Sequence, residues 1–166
     1  MIPTDRCLAK TTSVKGRSID WWYSGKDRHH GGNVQGIMEP DGFPLFISDV
    51  EPGSVNDLPE ARSPLLGALY AFAAKGLPTL ADLGYEGARI GVITPIEQLS
   101  QGPPLALDNR TLNKLQRGSR RVGERGFALL TQRWRLLQHI TAGPSKIGDI
   151  AKAALVLTHF EHGCLT

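Results

Sequence analysis

Two carboxylates stand where they could do chemistry. Asp82 lies in Leu80-Ala81-Asp82-Leu83-Gly84-Tyr85, which reads as the end of a buried strand. Glu124 lies among Arg117, Arg120, Arg121 and Arg125, on what reads as a basic helix. Carboxylates that converge from a strand end and a helix can hold two divalent cations roughly 4 Å apart for phosphoryl transfer. One cation activates the attacking oxygen and the other stabilises the leaving oxygen. Mg²⁺ takes a few carboxylates and fills its other positions with water and phosphate oxygens. Guanidinium groups beside such a site match phosphate with a two-pronged donor geometry. A complete site of this kind needs a further Asp on a neighbouring strand. Each residue also has a plain structural use. An Asp in a glycine-containing segment is commonly a turn residue, and a Glu among arginines is commonly half of a surface ion pair.

The elements that must position this pair follow from patterning. Residues 2–15 are polar and Thr-rich up to a Lys15-Gly16 turn signal, and residues 19–23 carry the strand-like run Trp21-Trp22-Tyr23. Residues 31–38 alternate polar and apolar, Pro40-Asp41-Gly42 is a turn, and residues 43–50 resume an apolar strand with Pro44 near its start, which predicts a hairpin. After a second turn at Glu51-Pro52-Gly53-Ser54, a helix is predicted over 58–75, capped by Asn56 or Asp57 and stopped by Gly76. Strands are predicted over 78–83 and 90–95. A long helix should run from a cap at Asp108 or Asn109 to Leu130, weakened by Gly118, Gly123 and Gly126. Gly143-Pro144-Ser145 breaks the chain. Ile147, Ile150, Ala151, Ala154 and Leu155 then mark one face of a last amphipathic helix over 146–159. This order predicts an α/β domain, a mixed sheet with helices packed on it.

The chain has 166 residues, enough for one domain with a real core. Its formal charge is only +3, but between 110 and 152 ten basic residues face two acids, Glu124 and Asp149. A one-sided basic segment favours a polyanionic partner, although a solvated helix face has the same composition. Cys7 and Cys164 form no metal or redox spacing, and a reducing cytosol is the simplest setting. No apolar run reaches a membrane-spanning length. His29-His30 could bind a metal, but a lone dyad before Gly-Gly is more often a solvated loop, and imidazole suits Mg²⁺ poorly. The Trp21-Trp22-Tyr23 run could stack bases, but cross-strand packing is its commoner use. His159 and His162 read as helix-end polar surface.

Laid in order, several segments resemble a DDE-superfamily endonuclease, the catalytic domain of bacterial insertion-sequence transposases related to the Harbinger type. They are Ile2-Pro3-Thr4-Asp5-Arg6, Lys26 with His30-Gly31-Gly32-Asn33-Val34-Gln35, Asp41-Gly42-Phe43-Pro44-Leu45, Pro52-Gly53-Ser54-Val55-Asn56-Asp57, Leu80-Ala81-Asp82-Leu83-Gly84-Tyr85, and Gly123-Glu124-Arg125-Gly126-Phe127. The resemblance covers nearly the whole chain, as a single domain over 1–166. It implies an RNase H-like fold, DNA cleavage and joining with Mg²⁺ or Mn²⁺, and transposon ends and target DNA as partners, and it leaves self-association open. It places Asp82 on the family's second catalytic Asp and Glu124 on its catalytic Glu. Asp57 falls on a frequent family acid, an auxiliary metal ligand, and equally suits a helix cap. Arg117, Arg120, Arg121 and Arg125 would contact DNA. The family's first Asp belongs to an Asp-Gly-Thr strand upstream of Ile2-Pro3-Thr4-Asp5. The chain is therefore expected to begin partway into that strand, without the helix-turn-helix of longer relatives. Asp5 would face the wrong side to substitute. An inactive DNA-binding remnant is the alternative expectation.

Overall fold

The computed structural model describes residues 2–3, 10–12, 18–26, 28–54, 65–88, 90–143 and 146–164. The expectations at Asp5, Asp57, the Lys15-Gly16 turn and residues 58–64 of the first helix lie outside the described residues.

The N-terminal half is built around a strand with two central glycines. In chain order the strands are β1 (Ile2–Pro3), β2 (Lys10–Thr12), β3 (Ser18–Asp20), β4 (Tyr23–Ser24), β5 (His29–Asn33), β6 (Gly36–Met38), β7 (Pro44–Ile47) and β8 (Glu51–Pro52). Strand β5 pairs antiparallel with β1, β4 and β8, with Gly32 opposite both Ile2 and Pro52. The bare Gly32 lets Val50 and Ile147 close over the strand; a Cβ there would sit 2.9 Å from the Ile147 Cδ1. Strands β2 and β3 form a separate antiparallel pair. The predicted hairpin is present as β6 and β7, with Ile37 opposite Phe46 and Gly42 turning at φ 95°.

The second half supplies the helices and one parallel pair. Helix α1 (Leu65–Ala73) ends where Leu77 N–H reaches back to the Phe72 carbonyl at 3.1 Å, and Gly76 takes φ 83°. Only a residue tolerant of that left-handed backbone closes a helix this way, which is why Gly76 reads correctly as a stop. Strands β9 (Thr79–Leu80) and β10 (Val92–Ile93) pair in parallel. Helix α2 (Leu107–Arg133) and helix α3 (Ile147–Glu161) follow. The result is a mixed α/β domain, with three helices among the described residues.

Two apolar clusters hold these parts. The larger gathers Ile2, Ile47, Leu130, Leu137, Ile140, Ile147, Ala151 and Ala154, so α2 and α3 pack over β1 and the hairpin. Within it, Trp134 Nε1–H donates to Thr158 Oγ1 at 2.8 Å, and that hydroxyl donates to the Ala154 carbonyl. The smaller joins Leu65, Leu66, Leu69 and Ala88 with Ile37, Tyr85 and Val92, seating α1 beside β10. At the domain edge, Glu161 accepts from Arg133 Nε at 3.1 Å; that hydrogen bond, with the attraction of the carboxylate, holds the guanidinium above its ordinary pKa.

Four expectations need correction. The aromatic run is no continuous strand: Trp21 and Trp22 form a turn, because the Asp20 carboxylate accepts Trp22 N–H at 3.2 Å. Trp22 packs on the larger core, while Trp21 and Tyr23 are exposed. His29 and His30 open β5 instead of lying in a loop, and His30 Nε2 meets Asp20 Oδ2 at 2.9 Å. The long helix starts at Leu107 with no side-chain cap and runs on to Arg133. Asp108 thus sits in the first turn, where its charge faces the positive end of the helix dipole. His159 is half-buried, its Nε2 2.6 Å from the Pro44 carbonyl and its ring against Phe43, so it ties α3 to β7.

Candidate active site

The parallel pair β9 and β10 brings two strand ends side by side, and α2 lies across them. Gln116 makes the join. It is 4% exposed, and its amide donates to the Ile93 carbonyl at 2.6 Å and to the Ala81 carbonyl at 3.3 Å. Ala81 immediately precedes Asp82, so the helix grips the backbone next to the carboxylate.

Four residues of helix advance about 400°, so each i to i+4 step drifts about 40° around the axis. Gln116, Arg120 and Glu124 are spaced this way, and their exposure follows the drift. Gln116 is buried, Arg120 half-buried and Glu124 exposed. One helix edge therefore presents an anchor, a cation and a carboxylate in order.

Asp82 does not end the strand itself. It stands two residues past β9 and caps the one-turn 3-10 helix Leu83–Tyr85, its Oδ1 accepting Gly84 N–H at 2.9 Å. That bond orients the carboxylate and leaves Oδ2 toward Arg120 Nη2 at 3.7 Å. Both partners are about one-third exposed, so the pair is loose and screened, of the kind that contributes about 0–1 kcal/mol.

Asp82, Arg120 and Glu124 line one cleft of about 670 Å³, together with Gln35, Tyr85 and Phe127. A second cleft, of about 840 Å³, shares Asp82 and Arg120 and continues past Arg117, Lys114 and Arg110 to Lys26. The expected arginine group is thus divided. Arg117 and Arg120 line these clefts, while Arg121 and Arg125 are exposed on α2 outside both. Lys26 entered the sequence reading only as part of the resemblance, Arg110 and Lys114 only within the basic segment, and Gln116 not at all. The spacing 110, 114, 117 and 120 was a usable signal for the second cleft, since it follows one side of a helix.

As donors, Asp82 and Glu124 are hard oxygen ligands of the kind Mg²⁺ and Mn²⁺ accept. Glu124 has no ion-pair partner among the described residues, and Asp82 Oδ2 is only loosely held, so both can turn to a cation. Among the described residues, no group of three His, Cys, Asp or Glu stands close enough to hold a metal ion, although Glu39 lines the same cleft.

Gln116→Leu tests the join. The Ala81 carbonyl would lose its side-chain partner, while the Ile93 carbonyl keeps Ala81 N–H at 2.9 Å. The change also deletes the Gln116 Oε1, buried without a partner among the described residues, which offsets part of the cost. A net loss of about 1–2 kcal/mol is expected in urea unfolding. A variant as stable as the parent would show that the grip contributes nothing.

A mixed α/β domain with two carboxylates and a line of cations along adjoining clefts has the outline of an enzyme that handles polyanions. The family model for DDE superfamily endonuclease matches residues 6–159, and the chain belongs to that family. Searches of curated proteins and of solved structures found no match. Among the described residues, no helix is long and apolar enough to cross a membrane.

Proposed function

We propose that the chain is a metal-dependent DNA endonuclease and strand-transfer domain of a transposase of the Harbinger-related, bacterial insertion-sequence kind, with an RNase H-like sheet. The observation that carries this is the shared cleft, with Asp82 and Glu124 on its walls and Arg120, paired to Asp82, one i to i+4 helix step before Glu124. Asp82 and Glu124 hold the metal, with Asp57 carried as an auxiliary ligand on the resemblance alone. The bound ion supplies an activated water and a stabilised leaving oxygen. Arg120 sits loosely enough on Asp82 to move onto a phosphate oxygen, where a guanidinium binds with two parallel donors. Arg117, Arg121 and Arg125 contribute to DNA binding. Transposon ends and target DNA are the partners, in the cytoplasm.

The test combines Mn²⁺ titration calorimetry with nicking of supercoiled plasmid. The expected result is Mn²⁺ binding, with nicking in Mn²⁺ and none in chelator. A folded chain that neither binds Mn²⁺ nor nicks would end the proposal. DNA binding without nicking at any Mn²⁺ or Mg²⁺ concentration would favour the alternative, a DNA-binding transposase remnant without catalysis.

A further inference from the structure

The second cleft is a groove with a consistent electrostatic character. One wall is α2, contributing Arg110, Lys114, Arg117 and Arg120, and Lys26, in the turn that follows β4, lines the same groove. The only carboxylate on its walls among the described residues is Asp82, at the junction with the catalytic cleft. Of these cations only Arg120 has an ion pair among the described residues. From Arg110 to Arg120 the helix rises about 15 Å, so the charges form a line and not a spot.

The rest of the groove is held by polar groups that satisfy each other. Asn113 donates to the Ile96 carbonyl and accepts Ile96 N–H, both at 2.9 Å. Gln98 accepts Leu105 N–H at 2.9 Å and donates to the Leu99 and Pro103 carbonyls at 3.1 Å. These bonds pin the segment before α2 against the helix and leave Lys26, Arg110, Lys114 and Arg117 without an ion-pair partner among the described residues.

The two ways out of the junction differ. The catalytic cleft leads toward apolar walls, Ile37, Leu65, Leu69 and Phe127, and toward the acids Glu39 and Glu124. A phosphate chain running that way would meet like charge and apolar surface. Running the other way, it would meet four more cations.

We propose that this groove is the track for the sugar–phosphate backbone of the DNA strand that leads into the Asp82 junction, with Lys26, Arg110 and Lys114 as phosphate contacts. The assignment rests on the DNA-endonuclease reading for its ligand, and on the groove alone for its path. Arg121 and Arg125 lie off the track and touch other parts of the DNA.

The experiment is a salt titration of binding to a fluorescein-labelled DNA duplex, followed by anisotropy in chelator so that cleavage plays no part. Each phosphate contact contributes about 0.9 to the slope of log K against log salt on duplex, and about 0.7 on a single strand. The triple variant Lys26→Ala, Arg110→Ala, Lys114→Ala should lower the slope by about 2–3. Lys146→Ala, just before α3 and paired with Asp149, should leave it unchanged. Far-UV circular dichroism confirms that each variant is folded. If the parent binds DNA and the triple variant keeps its slope, the track is wrong and the DNA reading stands. If the folded parent binds no DNA at low salt, both fall.

Discussion

Replacing Asp82 with asparagine is expected to abolish metal-dependent nicking and leave the fold intact. The turn cap that the structure shows and the metal ligation proposed for this residue separate cleanly at that substitution. Asp82 Oδ1 caps the 3-10 turn through Gly84 N–H at 2.9 Å, and asparagine caps about as well as aspartate. Only the charge is lost, and with it a loose, one-third-exposed pair with Arg120 that contributes about 0–1 kcal/mol. Glu124→Gln is the parallel case. Glu124 is exposed, makes no ion pair among the described residues, and glutamine matches glutamate in helix propensity. Loss of a partner that merely supports a metal ligand costs about 10–100-fold in affinity or activity. Loss of a ligand itself should exceed that, so each variant is expected to fall by more than about 100-fold in nicking rate and in Mn²⁺ affinity. Thermal melts should stay within about 1 kcal/mol of the parent. A variant that nicks normally would return its residue to the structural role of a turn cap or surface charge. Asp82→Ala is the useful contrast, since it should lose the cap as well, at a further cost of about 1 kcal/mol.

The largest stability effect is expected at Gly126. By helix propensity alone, any other residue there should help, since glycine in a helix interior costs about 1 kcal/mol relative to alanine. The packing reverses the sign. Gly126 is where α2 crosses the hairpin, and a Cβ on it would stand 2.7 Å from the Gly42 carbonyl oxygen and 3.1 Å from Met38 Cε. Met38 can swing aside, but the Gly42 oxygen belongs to a turn at φ 95° and moves only with the backbone. Gly126→Leu is expected to destabilise by about 3 kcal/mol, as overpacking of a close contact does. Gly126→Ala should fall in between, its propensity gain partly offsetting the clash. Chemical denaturation of the two variants decides the matter. A stabilised Gly126→Leu would mean that α2 and the hairpin are not packed this closely.

The same residue shows what a sequence reveals and what it hides. Gly126 was expected to weaken its helix, because propensity is local and the Met38 contact, 88 positions away, is not. The hairpin was legible because Pro40-Asp41-Gly42 sits between two apolar runs, and turn chemistry is local too. Gly76 was legible for the same reason. The Trp21–Trp22 turn was hidden by high strand propensity, overridden by one carboxylate, Asp20, reaching two residues ahead. At the site, Asp82 and Glu124 could be named by resemblance, and they do line one cleft. Gln116 could not, since nothing in a glutamine on a polar helix announces that it meets one carbonyl in β10 and another just past β9. Likewise, Lys26 joins the groove only once the turn after β4 has been brought to the same cleft as α2.

His159 and the Pro44 carbonyl are 115 positions apart, and Lys152 and Asp49 are 103 apart. Ile2 shares a cluster with Ile147 and Ala154. Contacts of this span must close large loops before they return any stability, which slows folding and makes it more nearly all-or-none. During synthesis the hairpin emerges long before the helix that covers it, and β5 stands bare under the place that Ile147 will fill. Helix α3, made last among these elements, thus acts as the latch of the domain, although it contributes nothing to the walls of the cleft that Asp82 and Glu124 line.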